Sequence, residues 1–235
     1  MIDLRRIVVR LSAAYGADRD SEIRDPFALV LYENIAYLAT DDRRRAAFNA
    51  LRRSIGLTPR KIAAASDAAL IAAASQGGVY PELRAARMRE AARLVLDEFG
   101  GDVAKILREE PKRRRQLLKR FPAIGDPGVD KILLLSRTQP VLALDSNGLR
   151  VLTRLGVAQE KKSYAATYRA VQEAAGEFGA RDFDLLITAN AVLARHGREI
   201  CKRTAPLCEL CVINRSCAYY RTIPKGPTLR RPGQT

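Results

Sequence analysis

The sequence predicts an all-α fold, and three observations support this prediction. Apolar residues recur every three or four positions through the segments DPFALVLYENIAYLA, DDRRRAAFNALRRSIG, SDAALIAAASQ and PELRAARMREAARLVLDEFG. Asp25 and Ser66 stand where helix N-caps are expected, and glycines follow three of the segments. Only residues 140–144 have strand character, and this run is short enough to be an extended link between two helices.

A helical hairpin is predicted within residues 117–139. A helix rich in Lys and Arg ends at Phe121, a tight turn follows at residues 122–125, and a new helix begins near Pro127, whose missing N–H is harmless in a first turn. Backbone N–H groups exposed at such a turn can bind a phosphate without reading base sequence. The pattern therefore indicates either a DNA-binding helix-hairpin-helix or an ordinary pair of helices.

The chain is strongly basic, with 41 Lys and Arg residues against 26 Asp and Glu, a formal net charge of +15 and a pI of about 10.1. Such a field attracts polyanions and suits phosphate binding, although a ribosome-associated or simply soluble basic protein would have the same charge. No apolar run approaches the roughly 18 residues of a membrane span, and the first residues lack a signal-peptide pattern. We therefore expect a cytoplasmic protein without membrane association, nucleoid-associated if the source is bacterial or archaeal.

All four cysteines of the chain lie in one short segment with spacings of six, two and five residues: Cys201, Cys208, Cys211 and Cys217. Four thiolates match the ligand set of an iron–sulfur cluster, which is the favoured interpretation. Structural zinc usually shows two C-x2–4-C pairs separated by a longer loop, and two disulfides would require an oxidising compartment. Both remain alternatives to a [4Fe-4S] cluster.

The cysteine segment, HGREICKRTAPLCELCVINRSC, resembles the C-terminal cluster loop of the endonuclease III family of DNA glycosylases. In that family the same spacing follows a helix ending in His-Gly-Arg, here residues 196–198. The hairpin resembles the family's Leu-Pro-Gly-Val-Gly-Arg-Lys-Thr-Ala, here FPAIGDPGV at residues 121–129. The resemblance covers about residues 21–220. It implies a two-lobed helix-hairpin-helix DNA glycosylase whose C-terminal loop holds a [4Fe-4S] cluster on the four cysteines.

The resemblance also implies a division of the chain. Residues 21–139 would form a six-helix lobe containing the hairpin, and residues 1–20 plus 140–220 would form the cluster lobe. The last residues, 221–235, mix Pro, Gly and basic residues without periodicity and are expected to be a mobile basic tail.

The family's essential aspartate comes twenty residues after the second hairpin glycine, and this count reaches Asp145. Aspartate is also a preferred helix N-cap, and both roles can hold together. Cleavage of an N-glycosidic bond develops positive charge on the sugar, so a carboxylate near C1′ can stabilise that charge or align water. The resemblance therefore implies that Asp145 is catalytic.

Two hairpin residues depart from the family pattern. Ala123 replaces the first glycine, and alanine tolerates a positive φ poorly. Pro127 replaces the lysine that forms a Schiff base in bifunctional members, so we expect a monofunctional enzyme that uses water. Lys131 lies one helical turn further along and is the alternative amine for a bifunctional glycosylase and lyase.

Glu33 aligns with a functional glutamate of adenine-DNA glycosylases and thymine/uracil mismatch glycosylases. It stands among apolar residues, where a charge is unfavourable unless it lines a pocket or has a partner. We expect either a general acid whose pKa is raised by burial or an exposed helix residue.

The resemblance implies further DNA contacts. Tyr37 and Leu38 match a loop that relatives insert into the duplex when a nucleotide leaves the stack, although both could instead be core residues. His196, the single histidine, is expected to make a structural hydrogen bond. The remaining expected DNA contacts lie in the hairpin and the cysteine loop: Ala123, Gly125, Gly128, Lys202 and Arg203.

The predicted protein is a monomeric base excision repair glycosylase acting on double-stranded DNA with a lesion or mismatch. Glu33 with Pro127 favours a mispaired or deaminated base, while alkylated purines and oxidised pyrimidines stay open. A different class, a non-catalytic iron–sulfur DNA-binding or redox-sensing protein, would need neither Asp145 nor Glu33 in a base-sized pocket.

Overall fold

The computed structural model describes residues 2–16 and 23–223, and within these ranges the chain forms helices and no strand. The all-α prediction is confirmed. Residues 140–144 are an extended link between helices, as the sequence indicated. None of the helices in the described ranges is long and apolar enough to cross a membrane.

The chain divides into two compact units. The first, here called the hairpin unit, comprises residues 23–144 and 179–187 of the described chain, and the second, the cysteine unit, comprises residues 2–16, 145–178 and 188–223. The predicted boundary after residue 139 thus falls five residues earlier than the change of unit. Residues 179–187, which were expected in the cluster lobe, group with the hairpin unit.

Helices α2 to α9 belong to the hairpin unit. In the described part of residues 23–144 there are eight helices where six were expected, and three of the eight, α4, α7 and α8, have only five to eight residues. Their bounds are Pro26–Asn34 (α2), Asp41–Ser54 (α3), Pro59–Ala64 (α4), Asp67–Ser75 (α5), Pro81–Phe99 (α6), Ala104–Arg108 (α7), Pro111–Leu118 (α8) and Asp126–Leu135 (α9).

The ends of these helices follow local chemistry. Asp25 accepts a hydrogen bond from the Ala28 amide at 2.7 Å, and Ser66 accepts one from Ala69 at 3.2 Å, so both predicted N-caps are present. Helix α2 is almost wholly buried but ends at Asn34, before the predicted helical stretch does. It ends there because the following segment pairs with another loop: the Tyr37 amide donates to the Gly77 carbonyl at 2.9 Å, and Leu38 adopts a positive φ of 50°.

The hairpin consists of α8, a turn and α9. Helix α8 ends at Leu118, three residues before the predicted end, and α9 begins at Asp126 with Pro127 in its first turn. Arg115 joins the two helices, because its guanidinium contacts buried Asp130 at 2.5 Å and Asp126 at 3.4 Å.

Helices α1 and α10 to α13 build most of the cysteine unit, although α12 begins in the hairpin unit. Their bounds are Leu4–Tyr15 (α1), Ser146–Leu155 (α10), Tyr164–Ala175 (α11), Phe183–Glu199 (α12) and Ala218–Thr222 (α13). Two short 3-10 turns, Cys208–Leu210 and Asn214–Ser216, shape the cysteine loop. Part of the predicted tail is thus helical, and the rest, from residue 224, lies outside the described residues.

Arg84 is the buried polar centre of the hairpin unit, with 2% of its surface exposed. Its guanidinium donates hydrogen bonds to the carbonyl oxygens of Ala74, Gly78 and Val79, each at 2.8 Å, and to that of Ile35. These carbonyls belong to the ends of α2 and α5 and to the loop before α6. One side chain therefore fixes two loops that have no regular secondary structure of their own.

Replacing Arg84 should destabilise the hairpin unit strongly. In Arg84→Met the four carbonyl groups lose their donor, so we expect the free energy of unfolding to fall by about 3 kcal/mol. Denaturant unfolding monitored by circular dichroism would measure this change. Arg93→Met, at an exposed position of the same helix, is the matched control and should change stability by less than about 0.5 kcal/mol. Equal effects of the two substitutions would contradict the role given to Arg84.

Candidate functional site

Asp145 caps the N-terminus of α10. One carboxylate oxygen, Oδ1, accepts hydrogen bonds from the amides of Asn147 at 2.9 Å and Gly148 at 2.7 Å. The other oxygen, Oδ2, accepts from the Asn147 side-chain amide at 3.0 Å and lies 3.7 Å from an Arg198 guanidinium nitrogen. The side chain is 42% exposed. Its orientation is therefore fixed while part of the carboxylate stays accessible to a ligand.

A network of hydrogen bonds joins this cap to the cysteine loop. Arg150, one turn into α10, donates to the Asn147 side-chain oxygen at 2.9 Å and to the backbone oxygens of Gly197 at 2.6 Å and Cys201 at 2.8 Å. A Cβ on Gly197 would lie 2.6 Å from the Asn147 carbonyl oxygen, so only glycine permits this approach of α12 to α10. The start of α10 is thus held by the cysteine loop.

The four cysteines surround one cavity of about 350 Å³, including its open mouth. Within the described residues, no three Cys, His, Asp or Glu side chains converge as the ligands of one metal ion would. The four cysteines are instead part of the lining of this cavity. Its lining contains Cys201, Cys208, Cys211 and Cys217 together with Arg154, His196, Val151, Leu155, Ile200 and Ile213.

His196 is hydrogen-bonded on both ring nitrogens. Burial lowers the pKa of His196 to about 4 and raises the pKa of Tyr15 to about 12, so the ring is neutral and the phenol keeps its proton at pH 7. The Tyr15 hydroxyl lies 2.7 Å from Nδ1, and the Cys211 sulfur lies 3.4 Å from Nε2. These two contacts fix the orientation of the ring and give His196 a structural role at the cavity.

Arg154 fixes the first part of the cysteine loop. Its guanidinium lies 3.4 Å from the Cys201 sulfur and donates to the carbonyls of Lys202 at 2.7 Å and Arg203 at 3.0 Å. Lys202 and Arg203 are both exposed. The backbone of these two basic residues is therefore held from inside while their side chains face solvent.

Glu33 and Lys131 form an ion pair in the hairpin unit. The Lys131 Nζ lies 2.8 Å from Glu33 Oε1 and 5.3 Å from the centre of the Tyr32 ring, and about a quarter of each charged side chain is exposed, 25% and 27%. Burial raises the pKa of Glu33, but the positive charges of Lys131 and Arg44 outweigh it and hold that pKa below its ordinary value. The sequence-based expectation of a raised pKa was therefore wrong, because it did not include Lys131.

The hairpin turn keeps the backbone shape that glycine would allow. Ala123 has a φ of 60°, in the left-handed region that alanine rarely adopts. Buried Asn34, at the end of α2, donates from its side-chain amide to the Pro122 carbonyl at 3.0 Å. Asn34 therefore holds the peptide group that precedes the strained residue.

The remaining hairpin glycines are placed differently. Gly125 is the N-cap residue of α9, with a φ of −96° that any residue could adopt. A Cβ on Gly128 would meet the Ile124 side chain at 3.3 Å. At the start of α9 the Asp126 carboxylate lies 2.5 Å from Lys119, so a positive side chain offsets this acid at the turn.

Two exposed apolar loops lie side by side. Leu38 is 77% exposed and Tyr37 52% exposed, so neither is a core residue. The Tyr37 amide donates to the Gly77 carbonyl at 2.9 Å, and the Tyr37 carbonyl accepts from the Val79 amide at 3.3 Å. This pairing brings Val79 and Tyr80, also exposed, beside Tyr37, whose ring centre lies 6.4 Å from that of Tyr80.

Sequence reasoning missed Val79 and Tyr80. A signal was present in the pair of glycines, Gly77 and Gly78, directly before an apolar pair and Pro81. A Cβ on either glycine would lie 2.1–2.2 Å from a carbonyl oxygen of the neighbouring loop, so these glycines permit the close approach.

Known proteins resemble this chain over most of its length. Endonuclease III from Thermotoga maritima is 27% identical over 213 residues, which cover 91% of this chain and 92% of that protein. A thymine-DNA glycosylase from Aeropyrum pernix is 26% identical over 221 residues, covering 92% and 94%. The fold matches a solved non-covalent endonuclease III–DNA complex with a TM-score of 0.72 at 19% identity, covering 94% of this chain and 98% of that one.

A family model provides the assignment. The model of the HhH-GPD superfamily base excision DNA repair protein matches residues 39–177, which contain the hairpin and Asp145 and make up more than half of the chain. The chain therefore belongs to the HhH-GPD superfamily of base excision DNA repair proteins.

Proposed function

We propose that this protein is a DNA glycosylase of base excision repair that hydrolyses the N-glycosidic bond of a damaged, deaminated or mispaired base in duplex DNA. The observation that carries the proposal is the Asp145 carboxylate, fixed by three N–H donors and still accessible, at the start of α10. Relatives named endonuclease III and thymine-DNA glycosylase support the same class of reaction.

The fixed carboxylate suits glycosidic cleavage. As the bond to the base breaks, positive charge develops on the sugar, and a carboxylate that is already oriented stabilises this charge without reorganisation. The same group can align a water molecule for attack on C1′. The backbone amides hold Oδ1, so Oδ2 is the oxygen that we assign to the reaction.

Water is the proposed nucleophile. Pro127 offers no amine at the start of α9, and the nearby Lys131 Nζ already donates a hydrogen bond to Glu33 Oε1 at 2.8 Å. A lysine that attacks the sugar as a nucleophile would have to leave this partner. These two observations support a monofunctional enzyme over a bifunctional glycosylase and lyase.

We further propose that the cysteine cavity holds a [4Fe-4S] cluster. Cys201, Cys208, Cys211 and Cys217 would each bind one iron, and their distribution around one cavity suits a group with several metal centres. A cluster with four cysteine ligands has no open coordination position, so its contribution is to stabilise the loop. His196 and Arg154, which approach two of the sulfurs, would hold the ligands in place.

We propose that the protein acts on duplex DNA as a monomer. The net charge of +15 suits binding to phosphates, and the hairpin turn, Lys202 and Arg203 are the proposed backbone contacts. Leu38, with its neighbour Tyr37, is proposed to fill the space that a flipped nucleotide leaves, because an exposed apolar residue on a fixed loop can offset part of the unstacking cost.

Asp145→Asn should nearly abolish base release while the protein stays folded. The amide keeps the capping geometry but loses the charge, so we expect a loss of about a thousandfold or more in single-turnover rate and almost unchanged duplex binding. A panel of duplexes with one lesion or mismatch each would measure release, with strand breakage only after alkali. The control is Asp3→Asn, at the N-cap of α1. Full activity of Asp145→Asn would remove the basis of the proposal.

Asn34 should support DNA binding through the hairpin turn. In Asn34→Leu we expect affinity for undamaged duplex to fall about fivefold, since the turn at Ala123 loses one hydrogen bond that opposes its strain. In an Ala123→Gly background the same substitution should cost about twofold, because glycine adopts this φ without strain. Fluorescence anisotropy at fixed salt would measure both. Equal losses of affinity in the two backgrounds would show that Asn34 does not act through the turn at Ala123.

The purified protein should be brown and contain about four irons per chain. Cys211→Ser should lose the visible absorption and destabilise the cysteine unit, because metal binding and local folding are coupled. Ser216→Ala, in the same loop, is the control and should retain both properties. Colourless wild-type protein with one zinc per chain would refute the cluster.

A further inference from the structure

The Glu33–Lys131 ion pair places a positive charge where it could act on a departing base. We propose that Lys131 is a catalytic residue whose ammonium stabilises the negative charge on a departing pyrimidine, so that uracil- and thymine-type bases are the substrates. This inference rests on the glycosylase function proposed above. It differs from a Schiff-base role, in which Lys131 would act as a neutral amine.

The geometry suits a cation that meets a ligand. Lys131 gives one N–H to Glu33 Oε1 at 2.8 Å, and its Nζ lies over the Tyr32 ring at 5.3 Å. An ammonium group has three N–H donors, so one hydrogen bond to Glu33 leaves this lysine able to donate to a further acceptor. With 27% of its side chain exposed, Lys131 is shielded enough for its charge to act strongly and open enough to contact a base.

The same ion pair makes Glu33 unsuitable as a general acid. A general acid must carry a proton near neutral pH, and the pKa of Glu33 is held below its ordinary value by Lys131 and Arg44 despite burial. A purine departs readily only after a ring nitrogen is protonated. Uracil and thymine have no strongly basic ring nitrogen, because N1 is bonded to one carbonyl carbon and N3 to two, and they depart as anions. The site therefore suits the second class.

Recognition follows from the same two groups. Uracil and thymine present an N3–H beside a carbonyl oxygen on one edge. The Glu33 carboxylate can accept from that N3–H while the Lys131 ammonium donates to that oxygen. Cytosine has no N3–H, so the pair would exclude this normal base.

The step balances without a further reactant. The C1′–N1 bond breaks, and both of its electrons leave with the base, whose negative charge spreads to the carbonyl oxygens near Lys131. Water adds to C1′ and its extra proton passes to solvent. The free base later takes a proton from solvent.

Leaving-group acidity provides the test. Single-turnover release would be measured from duplexes holding thymine, 5-bromouracil, uracil or 5-fluorouracil opposite guanine, which form two size-matched pairs whose halogenated members are the more acidic. Lys131→Met should slow thymine about a hundredfold but 5-bromouracil only about tenfold, since the better leaving group needs less stabilisation. Lys131→Met should likewise slow uracil more than 5-fluorouracil. Lys131→Arg, which keeps the charge, should release every base within about fivefold of the wild-type rate.

Controls separate charge from structure. The double variant Glu33→Gln/Lys131→Met removes both charges, so it leaves no buried charge without a partner and serves if Lys131→Met alone misfolds. Its rates should show the same steeper dependence on the acidity of the leaving base. Lys105→Met removes a lysine of α7 and should leave every rate unchanged. The wild-type rate should not fall between about pH 6 and pH 8, because no titrating acid is required.

The outcomes are distinct. An equal loss for all four bases in Lys131→Met would reduce Lys131 to a structural residue, and borohydride trapping that depends on Lys131 would make it the nucleophile. Duplexes with hypoxanthine or an alkylated purine complete the set. Release of purines without pyrimidines would overturn this inference and leave the glycosylase function intact. Release from no duplex at all would refute the proposed function itself.

Discussion

The cap that Asp145 forms on α10 is the interaction on which the cysteine unit depends. The carboxylate accepts hydrogen bonds from the amides of Asn147 and Gly148, and Arg150 connects the Asn147 side chain to the backbone of Cys201. The carboxylate that starts the helix is therefore part of one hydrogen-bonded network with the first cysteine. This explains why Gly197 must be glycine, since any side chain there would push α12 away from the cap.

Several arginines bind acceptors within the protein itself, so the basic composition does not measure DNA binding alone. Arg84 binds four carbonyl groups, Arg115 joins the helices of the hairpin, and Arg154 holds the cysteine loop. A guanidinium group suits these positions because its planar set of donors can serve several acceptors at once. The net charge of +15 therefore counts several cations that organise loops rather than face a phosphate.

Periodicity and cap chemistry predicted the helices well, because both act within a few residues. Asp25 and Ser66 cap helices as expected, and Pro127 lies in the first turn of α9. The cysteine spacing likewise identified residues that line one cavity. Sequence patterns failed to predict features that depend on tertiary contacts. The end of α2 depends on the hydrogen bond between Tyr37 and Gly77, which are forty residues apart in the chain, so no local pattern contains it.

Glu33 is the clearest case of this limit, and it bears on the chemistry. Seen in sequence, the residue is a carboxylate among apolar neighbours, for which burial alone would raise the pKa. In the fold, Lys131 approaches from a helix about a hundred residues away and reverses the sign of the shift. The reversal makes the group a hydrogen-bond acceptor and not the proton donor that the sequence suggested, and Lys131 is the charge that we propose acts on a leaving group. A carboxylate among apolar residues is therefore insufficient to infer acid catalysis from sequence, because the charge of a neighbour in the fold decides the direction of its pKa shift.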